Sequence, residues 1–318
     1  MTTQRIAVIG AGAIGGFYGI QLAKAGHAVQ FLLRSDFSVA REHGLRLESA
    51  RLGDHHVDPQ HIFAAVEAMQ PCDWVLVSAK TTSNPCLAPL INRVAAQGAR
   101  VLLLQNGLAV EDELRPLLRD DLHLLGGLCM VIVHRVAAAR IEHSAGGRLS
   151  VGYHSGPPGH SAGSELAACA TLFDGTAIDL VPMVDLAQAR WQKLLVNIPF
   201  SGLSVLLDSG TRKLLDLPET CTLLRELMEE VAAGAAVCGQ TLPPDSVEVA
   251  WASTDRPDYY PSMYLDFHAR RPLELHAMYA APLREVARAG GQMPKVEMLY
   301  QTLRFIDERN QQMAASAA

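Results

Sequence analysis

Apolar residues fall in short continuous runs through the first half of the chain and at helical spacing through the rest. Arg5-Ile-Ala-Val-Ile9 is a β-branched run, followed at once by Gly10-Ala-Gly12-Ala-Ile-Gly15-Gly16. A helix is predicted over 17–24, with Gly26 as its stop. Further strands are predicted over 27–34, 74–78, 100–104, 124–134, 148–152 and 177–181, the glycine pair 126–127 blurring the start of the fourth of these. Near-continuous apolar runs such as Trp74-Val-Leu-Val-Ser78 and Arg100-Val-Leu-Leu-Leu104 fit a parallel sheet covered on both faces. Strands alternating with helical stretches indicate a doubly wound α/β domain.

The pattern changes near Val184, after which helices dominate. They are predicted over 185–198, with Pro199 kinking or ending the first, and over 218–238, with Gly239 as the stop. Two more follow over 273–289 and 296–311. Residues 155–164 read as a surface loop and 314–318 as a frayed tail. The expected division is an α/β domain over 1–184 and an all-helical domain over 185–318.

Composition narrows the function. The 318 residues are 49% hydrophobic, ample for packed cores, and the net charge is −6. That balance argues against a nucleic-acid binder or a membrane-surface binder, which need a basic excess. The longest apolar stretch, 122–133, is broken by His123, Gly126 and Gly127, well short of the roughly 20 residues of a spanning helix. The opening Met1–Arg5 runs straight into a strand, so no signal peptide is expected. The six cysteines are scattered, without a C-x-x-C pair, and read as reduced thiols of a cytoplasmic protein. His55, His56 and His61 lie close in sequence but lack acidic or cysteine partners at ligand spacing, so they read as surface residues and no metal is expected.

The strongest chemical signal is Gly10-x-Gly12-x-x-Gly15 between a strand and a helix. Gly10 permits a tight turn, Gly12 lets backbone approach a pyrophosphate, and Gly15 lets helix and strand pack closely. The helix N-terminus beyond, at Ala13 and Ile14, offers N–H groups and a positive dipole end to phosphates. The alternative is a glycine-rich turn without ligand. NAD-binding chains place an acidic residue at the end of the second strand for the ribose 2′-hydroxyl. Here Leu33-Arg34-Ser35 stands there, and a guanidinium matches a 2′-phosphate, favouring NADP(H). The alternative is a solvated Arg34 with Asp36 on the ribose.

Lys80 and Asn106 each follow a parallel strand, on the edge where open α/β sheets bind ligands. A solvated loop charge and an ordinary Asn-Gly turn are their bland readings. Lys193 and Asn197 lie four apart in Trp191-Gln-Lys-Leu-Leu-Val-Asn197 and so share a helix face. A snorkelling lysine is the alternative there. Glu274 falls twelve residues after Ser262 and reads either as a first-turn glutamate or as a carboxylate held near a catalytic lysine.

Taken together, VIGAGAIGG at 8–16, Arg34, VSAKTT at 77–82, LQNGL at 104–108, HSAGGRLSVG at 143–152, WQKLLVN at 191–197, SMYLD at 262–266 and LEL around Glu274 make the chain resemble the ketopantoate reductase (2-dehydropantoate 2-reductase) family over almost its whole length. The resemblance implies a Rossmann domain joined to a helical domain of the 6-phosphogluconate-dehydrogenase C-terminal type, with the active site in the cleft between. It implies reduction of ketopantoate to pantoate by NADPH, for pantothenate and coenzyme A synthesis. Position by position, it implies Lys193 as catalytic general acid and Glu274 as its active-site partner. Asn197, Ser201 and Ser262 fall at substrate-binding positions, and Lys80 and Asn106 at positions lining the nicotinamide and substrate. Well-studied members carry asparagine at the positions of Ser201 and Tyr259. That departure leaves a different 2-keto acid, bulkier and less polar, as the alternative substrate. A non-catalytic NADP(H)-binding sensor is a third reading, against which both Lys193 and Glu274 argue. Monomer and homodimer are both open.

Overall fold

The computed structural model describes residues 2–254 and 258–316 and divides into two compact units, 2–105 with 110–186 and 106–109 with 187–316.

The first unit is built on one sheet. Its strands are β1 (Arg5–Ile9), β2 (Ala28–Leu32), β3 (Leu45–Ser49), β4 (His55–Val57), β5 (Ile62–Phe63), β6 (Cys72–Val77), β7 (Ala95–Leu103), β8 (His123–Ala137), β9 (Arg140–Ser155) and β10 (Leu180–Met183). They run in the order β4-β3-β9-β8-β7-β6-β1-β2-β5, with β10 added on β9. The stretch from β8 through β7, β6, β1 and β2 to β5 is parallel throughout. Its strands are buried on both faces, as the continuous apolar runs require: Ile6, Val8, Val75, Leu76, Val101 and Leu102 have no exposed surface. Helices α1 (Ala13–Lys24), α2 (Phe37–His43), α3 (Asn84–Val94), α4 (Val110–Leu114) and α5 (Ala162–Leu172) cover or flank this sheet. Phe17, Tyr18 and Ile20 of α1 pack into the same core as Phe31 and Trp74.

In the parallel half β1, β2 and β6 match the expected strands to within a few residues, β7 begins at Ala95 rather than 100, and β5 is an addition; the rest of the sheet departs further. The strands expected over 124–134 and 148–152 are halves of one long antiparallel hairpin, β8 and β9, and β3 and β4 form a second antiparallel pair. The hairpin turn carries no glycine or asparagine; Ala139 takes the left-handed conformation instead, φ 57°, and its N–H donates to Asp36. Strand β9 is long enough to pair twice on its other edge, through Arg140 register with β3 and through Leu149–Gly152 with β10. The three clustered histidines are only partly surface residues: His56 is exposed, but His55 and His61 are half-buried.

The second unit is helical: α6 (Leu186–Leu206), α7 (Thr211–Leu215), α8 (Pro218–Val237), α9 (Ser246–Ala252), α10 (Ser262–His268), α11 (Ala281–Arg288) and α12 (Pro294–Ser316). Two corrections bear on function. Pro199 does not end α6, which runs on to Leu206. Proline removes one backbone hydrogen bond, but Leu194, Leu195, Ile198, Phe200 and Leu203 are buried on both sides of it, and their packing holds the helix. The helix expected over 273–289 instead opens with a π-turn, His276–Ala280, before α11. The final helix reaches Ser316 rather than fraying at 314; Ala317 and Ala318 lie outside the described residues.

All six cysteines are free. Burial pushes the Cys72 thiol up to about 11 and Cys169 to about 12, so both are inert packing residues. No described helix is long and apolar enough to cross a membrane.

Candidate functional site

In the first unit the glycine turn joins β1 to α1 at the carboxyl edge of the parallel strands. Gly10 has φ +88°, and a Cβ there would lie 2.7 Å from that of Ala79, on the neighbouring strand's exit. Gly15 faces Ser78, whose hydroxyl donates to the Gly10 carbonyl at 2.7 Å, so both residues are glycine because protein stands where a side chain would go. Gly12 differs. Its φ is −76°, and a Cβ built there meets nothing within 4 Å. It caps α1 without any side-chain hydrogen bond, so the first N–H groups of Ala13 and Ile14 face that opening. No neighbouring atom excludes a side chain at 12, and that opening leaves room for a ligand at the helix end. The residues therefore fit a dinucleotide.

The end of β2 separates two candidates for the ribose. Asp36 is nearly buried and already engaged: both its oxygens accept from Arg135, at 3.0 and 3.1 Å, and it also accepts from Ala139 N–H at 3.2 Å and the Ser35 hydroxyl at 3.1 Å. Arg34 is exposed and has no ion pair among the described residues. The carboxylate is spoken for by the hairpin, and the guanidinium is accessible. Lys80 follows β6 and opens a short 3-10 turn, its carbonyl accepting from Ser83 N–H at 3.0 Å.

In the second unit Lys193, Asn197 and Ser201 stand at successive four-residue steps on α6, one face of one helix because the helix passes Pro199 unbroken. Lys193 and Asn197 are half-buried and Ser201 is buried. Asn106 belongs to this unit although it follows β7 in sequence. Its neighbours explain why. Arg190, one turn before Lys193 and buried, donates to the Gly107 carbonyl at 3.1 Å. Leu108 N–H donates to the Ala277 carbonyl at 2.9 Å. Gly107 sits at φ +108° against Ala277, where a Cβ would come within 2.7 Å of the Ala277 oxygen.

Glu274 lies two residues before the start of the π-turn, its carbonyl accepting from Met278 N–H at 3.2 Å. Within the same turn the Tyr279 hydroxyl donates to the Ile198 carbonyl at 2.8 Å, next to Asn197. Three segments carrying Asn106, Lys193 with Asn197, and Glu274 are thus pinned pairwise: 106–109 to α6, 106–109 to the π-turn, and the π-turn to α6. π-turns of this kind recur at functional sites because the extra residue re-aims neighbouring side chains. Ser262 is exposed at the first position of α10. Tyr259 is anchored through its backbone, whose carbonyl accepts from the Thr211 N–H and hydroxyl.

The sequence did not single out the pinning residues Arg190 and Tyr279. Arg190 precedes Lys193 by three, a helix-face neighbour, which was a usable signal; nothing in the sequence marked Tyr279. It also did not group His123, His160 and Glu165, which come from a strand start, a loop and a helix and have no ligand spacing.

Residues 6–156 match the family model described as ketopantoate reductase PanE/ApbA, and 185–307 match ketopantoate reductase PanE/ApbA C terminal. A 2-dehydropantoate 2-reductase from Nostoc sp. is 36% identical over 98% of this chain and 97% of that protein. Among solved structures, the 2-dehydropantoate 2-reductase of Geobacter metallireducens superimposes with a TM-score of 0.87 at 35% identity, covering 94% of this chain and 99% of that one. That of Methylococcus capsulatus gives 0.84 at 33% identity, covering 96% and 97%. With the glycine turn, the α6 lysine face and the helical second unit all in place along this length, the chain belongs to the ketopantoate reductase PanE/ApbA family.

Proposed function

We propose that this chain is an NADPH-dependent reductase that converts 2-dehydropantoate to pantoate. The observation that carries the reading is the pinned arrangement around α6, which fixes Lys193 and Asn197 on one half-buried face beside the Asn106 and Glu274 segments. The relatives' shared name supplies the substrate.

The proposed division of labour follows the two domains, 1–184 for the cofactor and 185–318 for the substrate. The turn at Gly10, Gly12, Ala13, Ile14 and Gly15 would hold the pyrophosphate, and Arg34 the 2′-phosphate, because Asp36 is committed to Arg135. Lys80 and Asn106 would line the nicotinamide. NADPH, when bound, supplies the hydride for the keto carbon. Lys193 would give a proton to the keto oxygen as charge develops there, its positive charge stabilising that oxygen up to the transfer, which leaves the amine neutral. Glu274 would orient that ammonium and the substrate hydroxyl. Asn197, Ser201 and Ser262 would hold the substrate's polar groups.

Ser201 and Tyr259 favour a second substrate reading, a bulkier and less polar 2-keto acid. Initial rates of NADPH oxidation with ketopantoate and a panel of such acids test both. Turnover with ketopantoate is expected. Turnover confined to another acid moves the substrate and keeps the chemistry, and tight NADPH binding without turnover on any acid overturns the enzyme reading.

A further inference from the structure

We propose that the first unit carries a divalent transition-metal site, best suited to Zn²⁺, formed by His123, His160 and Glu165. One ligand atom from each lies within 4.8 Å of the others, the only such group among the described residues. His123 opens β8, His160 lies in the loop after β9, and Glu165 is in the first turn of α5. The Glu165 carboxylate is almost wholly buried. Arg100 donates to its Oε2 at 2.6 Å, while its Oε1 stands 3.3 Å from His160 Nδ1. His123 Nδ1 lies 3.8 Å from Oε2 and 3.3 Å from the Tyr153 hydroxyl. The two imidazoles meet edge to face with centroids 4.6 Å apart.

Two nitrogens and one carboxylate oxygen are a Zn²⁺ donor set, with a fourth position left for water. Bonds of about 2.0–2.1 Å in tetrahedral geometry put neighbouring donors about 3.3 Å apart, the spacing already present between His160 and Glu165. The remaining adjustment draws in His123 Nδ1, which lies 3.8 Å from Oε2, and His160 can follow it: the His160 side chain is 50% exposed and comes directly after Gly159, at φ +88°. One outer partner is also in place: Arg100 fixes the carboxylate through Oε2. Oε1, which faces His160, also accepts from the Ser164 hydroxyl at 3.4 Å, and His123 Nδ1 would exchange the Tyr153 hydroxyl for the metal.

The site is separate from the cofactor turn. Arg100 and His123 are register partners where β8 begins, level with Trp74 of β6 and Ile6 of β1, whereas Gly10 lies beyond the carboxyl end of β1, which runs parallel to them. A bound ion would tie the 156–161 loop and α5 to the sheet. Its role is structural or regulatory, and it takes no part in hydride transfer.

The test compares wild type with His160→Ala, a change at an exposed loop position that leaves the core intact. Equilibrium dialysis against Zn²⁺, with metal counted per chain, is combined with Tm in Zn²⁺ and in chelator. Wild type should bind one more Zn²⁺ than the variant, or bind it at least about tenfold more tightly, and Zn²⁺ should raise the Tm of wild type only. NADPH affinity should be equal in both. Equal uptake by both proteins, placing zinc on other histidines, or no uptake by wild type, would overturn the proposal.

Discussion

The Tyr279 hydroxyl donates to the Ile198 carbonyl at 2.8 Å, joining the π-turn after Glu274 to the helix that carries Lys193 and Asn197. Tyr279 is fully buried, and burial pushes its phenol far above the ordinary range, so the group stays a neutral donor at any working pH. Tyr279→Phe keeps the ring and removes the bond. It should cost about 1 kcal/mol of stability in urea unfolding and lower kcat more than it raises the KM for NADPH. An unchanged unfolding midpoint with unchanged kcat would show that the link positions nothing.

The glycine turn makes a contrast between two alanines. Gly12→Ala fills open space, so its Tm should match wild type while NADPH binding weakens. Gly10→Ala forces a left-handed alanine against Ala79 and should cost on the order of 1–3 kcal/mol. Thermal melts and NADPH titrations of the pair check this. A Gly12→Ala that binds NADPH normally would leave the helix end without its assigned ligand.

Arg34 and Asp36 give a cofactor test. Arg34→Ala should raise the KM for NADPH by about tenfold or more, the loss of one charge-assisted hydrogen bond, and leave that for NADH nearly unchanged. Equal loss with both cofactors would remove Arg34 from the 2′-phosphate.

What the sequence made legible follows from where local and long-range forces agree. The parallel strands and the glycine turn were readable because burial on both faces writes itself as continuous apolar runs. The long hairpin was not, since its turn at Ala139 takes a left-handed conformation without glycine and is fixed by Asp36, about a hundred positions away in sequence. Pro199 misled for the same reason, because packing around Ile198 and Phe200 outweighs a local helix breaker. In the site, the Lys193–Asn197 face was local and readable. The ties through Arg190 and Tyr279 to Gly107 and Ile198 join segments about 80 residues apart and leave no local pattern.

His143 gives a pH dependence. It is buried against Phe17, with ring centroids 4.7 Å apart, and shares a hydrogen bond with the Ser49 hydroxyl at 2.9 Å. Burial first, with Arg51 adding repulsion, holds its imidazole below the ordinary value, although the Gly146 and Ala145 backbone partly offset this. The unfolded chain therefore takes up a proton at higher pH than the folded one. Stability from this group is complete above about pH 6.5 and is lost as the pH falls below it. His143→Gln should flatten the fall in unfolding free energy between about pH 6.5 and 5. His123 and His134, lowered by burial in the same sense, would retain part of the slope. An identical slope in the variant would contradict this assignment.

The most direct test of the proposed chemistry is the initial rate of NADPH oxidation with ketopantoate for wild type and Lys193→Ala, with NADPH affinity measured on both. Wild type should turn over, and the variant should lose about 10²–10⁴-fold in kcat with its NADPH affinity intact. Equal rates in the two proteins would contradict Lys193 as the proton donor and, with it, the reading of the α6 face as the place where reduction is completed.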